Sequence, residues 1–151
     1  MTAIASRAAL LHAAVQDMHA GKVDAAARPP AIAAVAGDPR LATILLAEAT
    51  RGQTGAAQSA EAGGDMAGPR CLWTAGMLTM PSATPARRNR GPLLDIALIG
   101  TLRKVKAAEI AAADAAVALA RGIGEARLVE QCEADRAGTV AADRALAGVS
   151  I

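Results

Sequence analysis

The chain has 151 residues, 53% of them hydrophobic and 20% charged, with a formal net charge of +2. That length suits one domain with a real core, and so balanced a charge excludes the strongly basic face of a nucleic-acid binder. One Trp and no Phe or Tyr leave no platform for base stacking, and no run approaches the roughly 18 uninterrupted apolar residues of a membrane span.

Alanine dominates the hydrophobic fraction. A core without large aromatics needs small-faced elements packed closely together, which Ala-rich helices do best. Strand-like alternation of β-branched and aromatic residues is absent, so the chain reads as all-α and as a single domain over 1–151. The N-terminus carries Arg7 but no compact apolar core followed by a small-residue cleavage site. No signal peptide is read, and the cytoplasm is the expected compartment. Cys71 and Cys132 lie far apart, form no CxxC, and read as buried free thiols of a reducing compartment.

The first helix is expected over 3–27, with the stripe Ile4, Ala8, Leu11, Val15, Met18, Lys22 and Ala25. One charged residue, Lys22, falls on this apolar face. Pro29 and Pro30 restart the chain, and a short helix is expected over 30–36. Gly37, Asp38 and Pro39 form a stop-and-start signal: Gly37 ends one helix, Asp38 caps the next, and Pro39 takes its first position. That second long helix runs to about residue 62 on the stripe Leu41, Leu45, Glu48, Gly52, Gly55 and Ser59, weakening at its two glycines. Residues 62–69 read as a loop, 70–80 as a short helix carrying Trp73, Met77 and Leu78 as a plug on the bundle, and 81–91 as a second loop.

Residues 91–120 are the longest helix and the centre of the pattern, opened by Pro92. Its stripe is Leu98, Leu102, Val105, Glu109, Ala112, Ala116 and Leu119. A lone carboxylate there is costly unless it is paired, protonated or bound to a metal. Gly122 and Gly124 make the next turn, and the last helix spans 125–147. Its stripe is Leu128, Cys132, Asp135, Thr139, Ala142, Leu146 and Val149, again with one carboxylate. Two helical hairpins, each with ionisable groups in its seam, make a four-helix bundle with a short accessory helix between the hairpins.

Other candidates have simpler readings. His12 and His19 are seven residues apart, two helical turns, whereas ligand pairs on a helix favour three or four. Glu130 and Glu133 are flanked by Arg127 and Arg136 and read as a solvated ion-pair face. Arg87, Arg88 and Arg90 read as a solvated basic loop, with an adaptor surface for an anionic partner as the alternative. Ser6, Ser59, Ser82 and Ser150 sit in no recognisable Ser/His/Asp arrangement, and no GxxxxGK[ST] loop occurs. No catalytic motif is found.

Several short segments stand in an order that resembles the YciE/YciF family of ferritin-like, stress-associated bacterial proteins. Leu11-His12 followed by Asp17-Met18-His19 is similar to the family's first-helix LH…D-[IL]-Y segment, and Pro30, Pro39 and Leu41 to its proline and P-x-L. Residues 71–76, CLWTAG, are similar to C-x-x-M-x-G; residues 95–99, DIALI, to D-x-A-L-I; and residues 109–111, EIA, to the end of Y-E-I-A. The spacing between them is nearly the family's from residue 11 to about 140. The resemblance implies a ferritin-like four-helix bundle and a di-metal carboxylate centre within it, which needs about four carboxylates with one or two imidazoles.

This sequence departs from that pattern. The family's acidic positions fall at Lys22, at Arg51 and at Lys106; its histidine positions fall at Gly55 and Ala107. Glu109 survives, and the last acidic pair falls at Asp135 and Arg136, while no Glu-x-x-His occurs anywhere. A cation in a ligand's place repels a divalent ion directly. The centre is therefore expected to be degenerate, with no cofactor and no catalytic residue. Lys22, Glu48, Glu109 and Asp135 lie on the inner stripes of four helices, and three readings remain open for them. The Lys22 ammonium stands in for the metal and pairs with the acids; or the four sit at different heights and snorkel outward; or Glu48, Glu109 and Asp135 keep a single iron or manganese ion. The expected function is a non-catalytic, self-associating (homodimeric) bundle protein related to this stress-response group, with no nucleic-acid or membrane partner. The alternative is an iron- or manganese-binding protein or oxidoreductase with a reduced carboxylate site.

Overall fold

The computed structural model describes residues 6–61, 66, 76–77 and 90–150. Five helices occur in them: α1 (Arg7–Ala27), α2 (Pro29–Ala33), α3 (Pro39–Glu61), α4 (Pro92–Ile123) and α5 (Ala126–Ala147). No strand occurs among the described residues. The fold is all-α, a four-helix bundle of α1, α3, α4 and α5. The hairpins pair α1 with α3 and α4 with α5; α1 also packs on α4, α2 lies against α3, and α3 meets α5 only lightly. Of the expected accessory helix, Gly76 and Met77 are described and helical, and Met77 packs on the core. Trp73, Leu78 and Cys71 lie outside the described residues, as do the 62–65 stretch and Ser82, Arg87 and Arg88.

Local chemistry accounts for the helix ends. Helix α1 begins at Arg7, later than residue 3, because the Ser6 hydroxyl accepts the Ala9 N–H at 3.1 Å and caps it; residues 3–5 lie outside the described residues. Helix α2 is shorter than 30–36, with Pro29 and Pro30 in its first turn and its last residue at Ala33. Gly37 is thus not its terminator. Asp38 caps α3 as expected, accepting the Arg40 N–H at 2.7 Å. At the α4–α5 turn only Gly124 breaks the helix. Its φ of 81° is left-handed, and the next amide, of Glu125, reaches back to the Ala120 carbonyl at 3.0 Å. Gly122 stays inside α4.

Gly52 and Gly55 do not weaken α3. A Cβ on Gly52 would stand 2.6 Å from the Ala26 nitrogen and 2.9 Å from the Lys22 carbonyl oxygen, so α1 rests directly on the α3 backbone there. Tertiary contact outweighs the propensity penalty of about 1 kcal/mol for a helical glycine. The α3 stripe read from sequence is buried in full, from Leu41 to Ser59.

The core divides into two clusters. One gathers Ile32, Leu41, Leu45, Leu94, Leu98, Leu102, Val105 and Leu146. The other gathers Leu11, Ala116, Val117, Ala120 and Cys132. Along α4 the first ends at Val105 and the second begins at Ala116, with Lys106 and Glu109 between them. The bundle is leucine-packed at one end, alanine-packed at the other, and charged in the middle.

Candidate functional site

Four helices contribute to the charged middle: Lys22 from α1, Glu48 and Arg51 from α3, Lys106 and Glu109 from α4, and Asp135 from α5. Three cations face three carboxylates. Lys22 Nζ lies 2.5 Å from Asp135 Oδ2, bridging α1 to α5, and donates to Ser59 Oγ at 3.1 Å. Ser59 in turn donates to the Gly55 carbonyl at 2.7 Å. Arg51 grips Glu48 with both arms, Nε to Oε1 and Nη2 to Oε2, each at 2.9 Å. The Lys106 ammonium, 5% exposed, pairs with Glu48 Oε2 and lies 2.8 Å from Glu109 Oε2. Arg51 Nη2 stands 3.7 Å from that same Glu109 oxygen, and its Nη1 donates to Thr139 Oγ1 at 3.4 Å.

Burial raises the Glu48 carboxyl's pKa, but the hydrogen bonds from Arg51 and the nearby Lys106 ammonium outweigh it and hold the pKa below the usual carboxylate range. Burial likewise acts against the Arg51 charge, and its hydrogen bonds to Glu48 outweigh that, so its pKa is raised. Burial, reinforced by Asp135 and opposed by Lys22, pushes the Cys132 thiol up, which leaves it a poor nucleophile.

Lys22 therefore meets Asp135, whereas Glu48 and Glu109 meet Lys106 and Arg51. Glu109 is not a lone carboxylate: Lys106, one turn before it, is the more deeply buried of the two. The spacing that signals these pairs, three residues from Glu48 to Arg51 and from Lys106 to Glu109, is visible in the sequence. Asp95 is another buried charge that periodicity does not single out. It is 3% exposed and accepts the Gly37 and Asp38 N–H groups at 2.8 Å each. Gly37 is small because a Cβ there would stand 3.0 Å from Asp95 Oδ2.

The other candidates are dispersed. His12 is exposed and His19 half-buried. The exposed arginines around Glu130 and Glu133 pair between helices rather than along α5: Arg121 with Glu133, and Arg136 with Asp114 at 2.6 Å. Arg90 is exposed. Ser6 is a cap, and the Ser150 carbonyl accepts from Arg40 Nη2 at 2.7 Å. Cys132 is buried and free.

The middle does not fit the di-metal centre that the resemblance implies. Each of its three carboxylates is already paired with an ammonium or guanidinium group. Among the described residues no three His, Cys, Asp or Glu side chains are grouped to hold a metal ion. No helix among them is long and apolar enough to cross a membrane.

Two solved structures share the fold. YcfI from Rhodopseudomonas palustris superposes with a TM-score of 0.86 at 18% identity, covering 99% of this chain and 98% of its own. The E. coli stress protein YciF superposes with a TM-score of 0.84 at 14% identity, covering 95% of this chain and 93% of its own. Among curated proteins none matches this chain in sequence. The family model described as a domain of unknown function, DUF892, matches residues 6–150, and the chain belongs to that YciF-like family.

Proposed function

We propose that this protein is a non-catalytic member of its family, a cytoplasmic, self-associating structural or interaction protein in whose bundle an ion-pair network takes the place of a di-metal centre. One observation carries the reading: Lys22, Arg51 and Lys106 are interleaved with Glu48, Glu109 and Asp135 across all four long helices. Three positive and three negative groups neutralise one another, so the network needs no metal to balance its charge. A divalent ion would have to displace ammonium groups from carboxylates that already hold them. YcfI, which shares the fold, is described as a proposed structural protein, a description that accords with a role outside catalysis, and YciF is described as a stress protein.

Metal content after incubation with Fe(II) and Mn(II) and desalting tests the reading, with Glu109→Ala beside the wild type. Near-zero metal in both is expected. One or more ions per chain, lost in the variant, would overturn it and favour a reduced carboxylate site on Glu48, Glu109 and Asp135. Self-association has its own test in light scattering: elution above the monomer mass of 15.1 kDa is expected, and a clean monomer removes that part.

A further inference from the structure

A cavity of about 420 Å³ lies against the ion-pair network, with lining residues from all four long helices. Its apolar wall is made of small groups, among them Gly21, Gly55, Ala112 and Gly138, with Met18 beside them. Its charged lining is Lys22, Arg51, Glu109 and Asp135, with the exposed carboxylate of Asp17 as a fifth group. A volume in the range of small-molecule sites, mostly apolar with a few convergent polar groups, is the usual make-up of such a site.

The hydrogen-bond inventory defines what it would take. Lys22 Nζ has three N–H groups and bonds Asp135 and Ser59, leaving one. Arg51 spends Nε and Nη2 on Glu48, and Nη1 makes only the long 3.4 Å contact with Thr139. Asp135 is engaged through Oδ2 and Glu109 through Oε2, so each keeps its other oxygen. Spare donors and spare acceptors thus border one cavity. The six network charges already cancel, and the exposed Asp17 is screened by solvent, so a ligand of net charge would unbalance the network, whereas a neutral one carrying both signs would not.

We infer that this cavity binds a small zwitterion with a compact aliphatic body, the chemistry of an aliphatic α-amino acid. Its carboxylate meets Lys22 and Arg51, its ammonium meets Asp135 and Glu109, and its hydrocarbon lies on the Ala/Gly wall. The inference rests on the metal-free reading of the network given above.

Titration calorimetry of the full chain with L-leucine tests it, with isocaproate and isoamylamine as probes that keep only one of the two charges. The metal content of the same sample is measured alongside. Saturable binding of leucine is expected, with each singly charged probe weaker by about tenfold or more, since each lacks one charge-assisted set of hydrogen bonds. Ala112→Leu, which fills the cavity and leaves every charge in place, is expected to abolish binding. Amide chemical-shift mapping on the wild type, which needs no variant to fold, is expected to move Gly55, Ala112 and Gly138. No saturable leucine binding in metal-free protein, an equal affinity for either singly charged probe, or shifts confined elsewhere would overturn the inference and leave the reading of the network standing. Bound metal would overturn that reading, and the inference with it.

Discussion

Along α4, one turn separates two kinds of interior. Leu94, Leu98, Leu102 and Val105 pack with Leu41, Leu45 and Leu146 into an apolar cluster. Lys106 and Glu109 follow at once, in a network whose acids and bases come from every long helix. Burying a leucine stabilises the fold by roughly 1.5–3 kcal/mol whatever its exact neighbours. A buried ion pair gives little net stability, because desolvation offsets attraction, yet losing one partner is costly. The leucine end therefore supplies stability that tolerates repacking. The charged middle supplies a penalty against any helix register in which a charge is left alone.

The largest effect should come from the leucine end. Leu45→Ala removes a side chain that is 1% exposed and is expected to lose about 3–4 kcal/mol in urea denaturation. A loss below about 1 kcal/mol would mean that this end is not the stabilising half. Lys106→Met comes next, at about 3 kcal/mol, because Glu109 keeps only the 3.7 Å contact with Arg51. Adding Glu109→Leu to that variant is expected to restore part of the loss. If the double variant is instead worse than the single, the penalty is not one of an unpaired charge.

Gly52→Ala sharpens the comparison from the backbone side. Alanine favours the helix by about 1 kcal/mol, but its Cβ would press on the α1 backbone, so a net loss of about 2 kcal/mol is expected. A gain in melting temperature would show that α1 and α3 can part without harm. Lys22→Ala, at a pair more accessible than that of Lys106 with Glu48, is expected to lose about 1 kcal/mol; a neutral result would deny that its pairing with Asp135 matters to folding.

Acid provides the mildest perturbation. The Glu48 carboxyl titrates below its ordinary value of 4.5 in the folded chain. Its contribution is fully present above that value and is lost as pH falls through the folded pKa. Wild type should therefore lose more stability than Glu48→Gln between about pH 5 and about pH 3. Equal losses would place the acid sensitivity elsewhere.

Much of the fold is legible in the residues. The α3 stripe read at helical spacing is the buried face of that helix, and Pro39 and Pro92 open the helices expected of them. The boundaries that shift do so for local reasons, such as the Ser6 cap and a Gly122 that stays helical. Less of the charged middle is legible. Lys22, Glu48, Glu109 and Asp135 stand out as charges on apolar stripes, but their partners do not follow from that. Arg51 sits beside the stripe rather than on it, half-buried, and Lys106 reads as a degraded ligand position rather than as the ammonium shared by two acids. Asp95 stands in the DIALI segment of the resemblance, but its role is not legible there because its partners are backbone N–H groups 57 and 58 residues away, which carry no side-chain signal.

By itself the sequence determined the helices, their buried faces and the places where charge interrupts them, because caps, propensity and a 3.6-residue period act within a few neighbours. Only the tertiary structure decided which charge meets which between helices. Pairing depends on the axial height and rotation of four helices at once. Those are set by the leucine cluster at one end and by the bare backbone of Gly52, against which α1 rests.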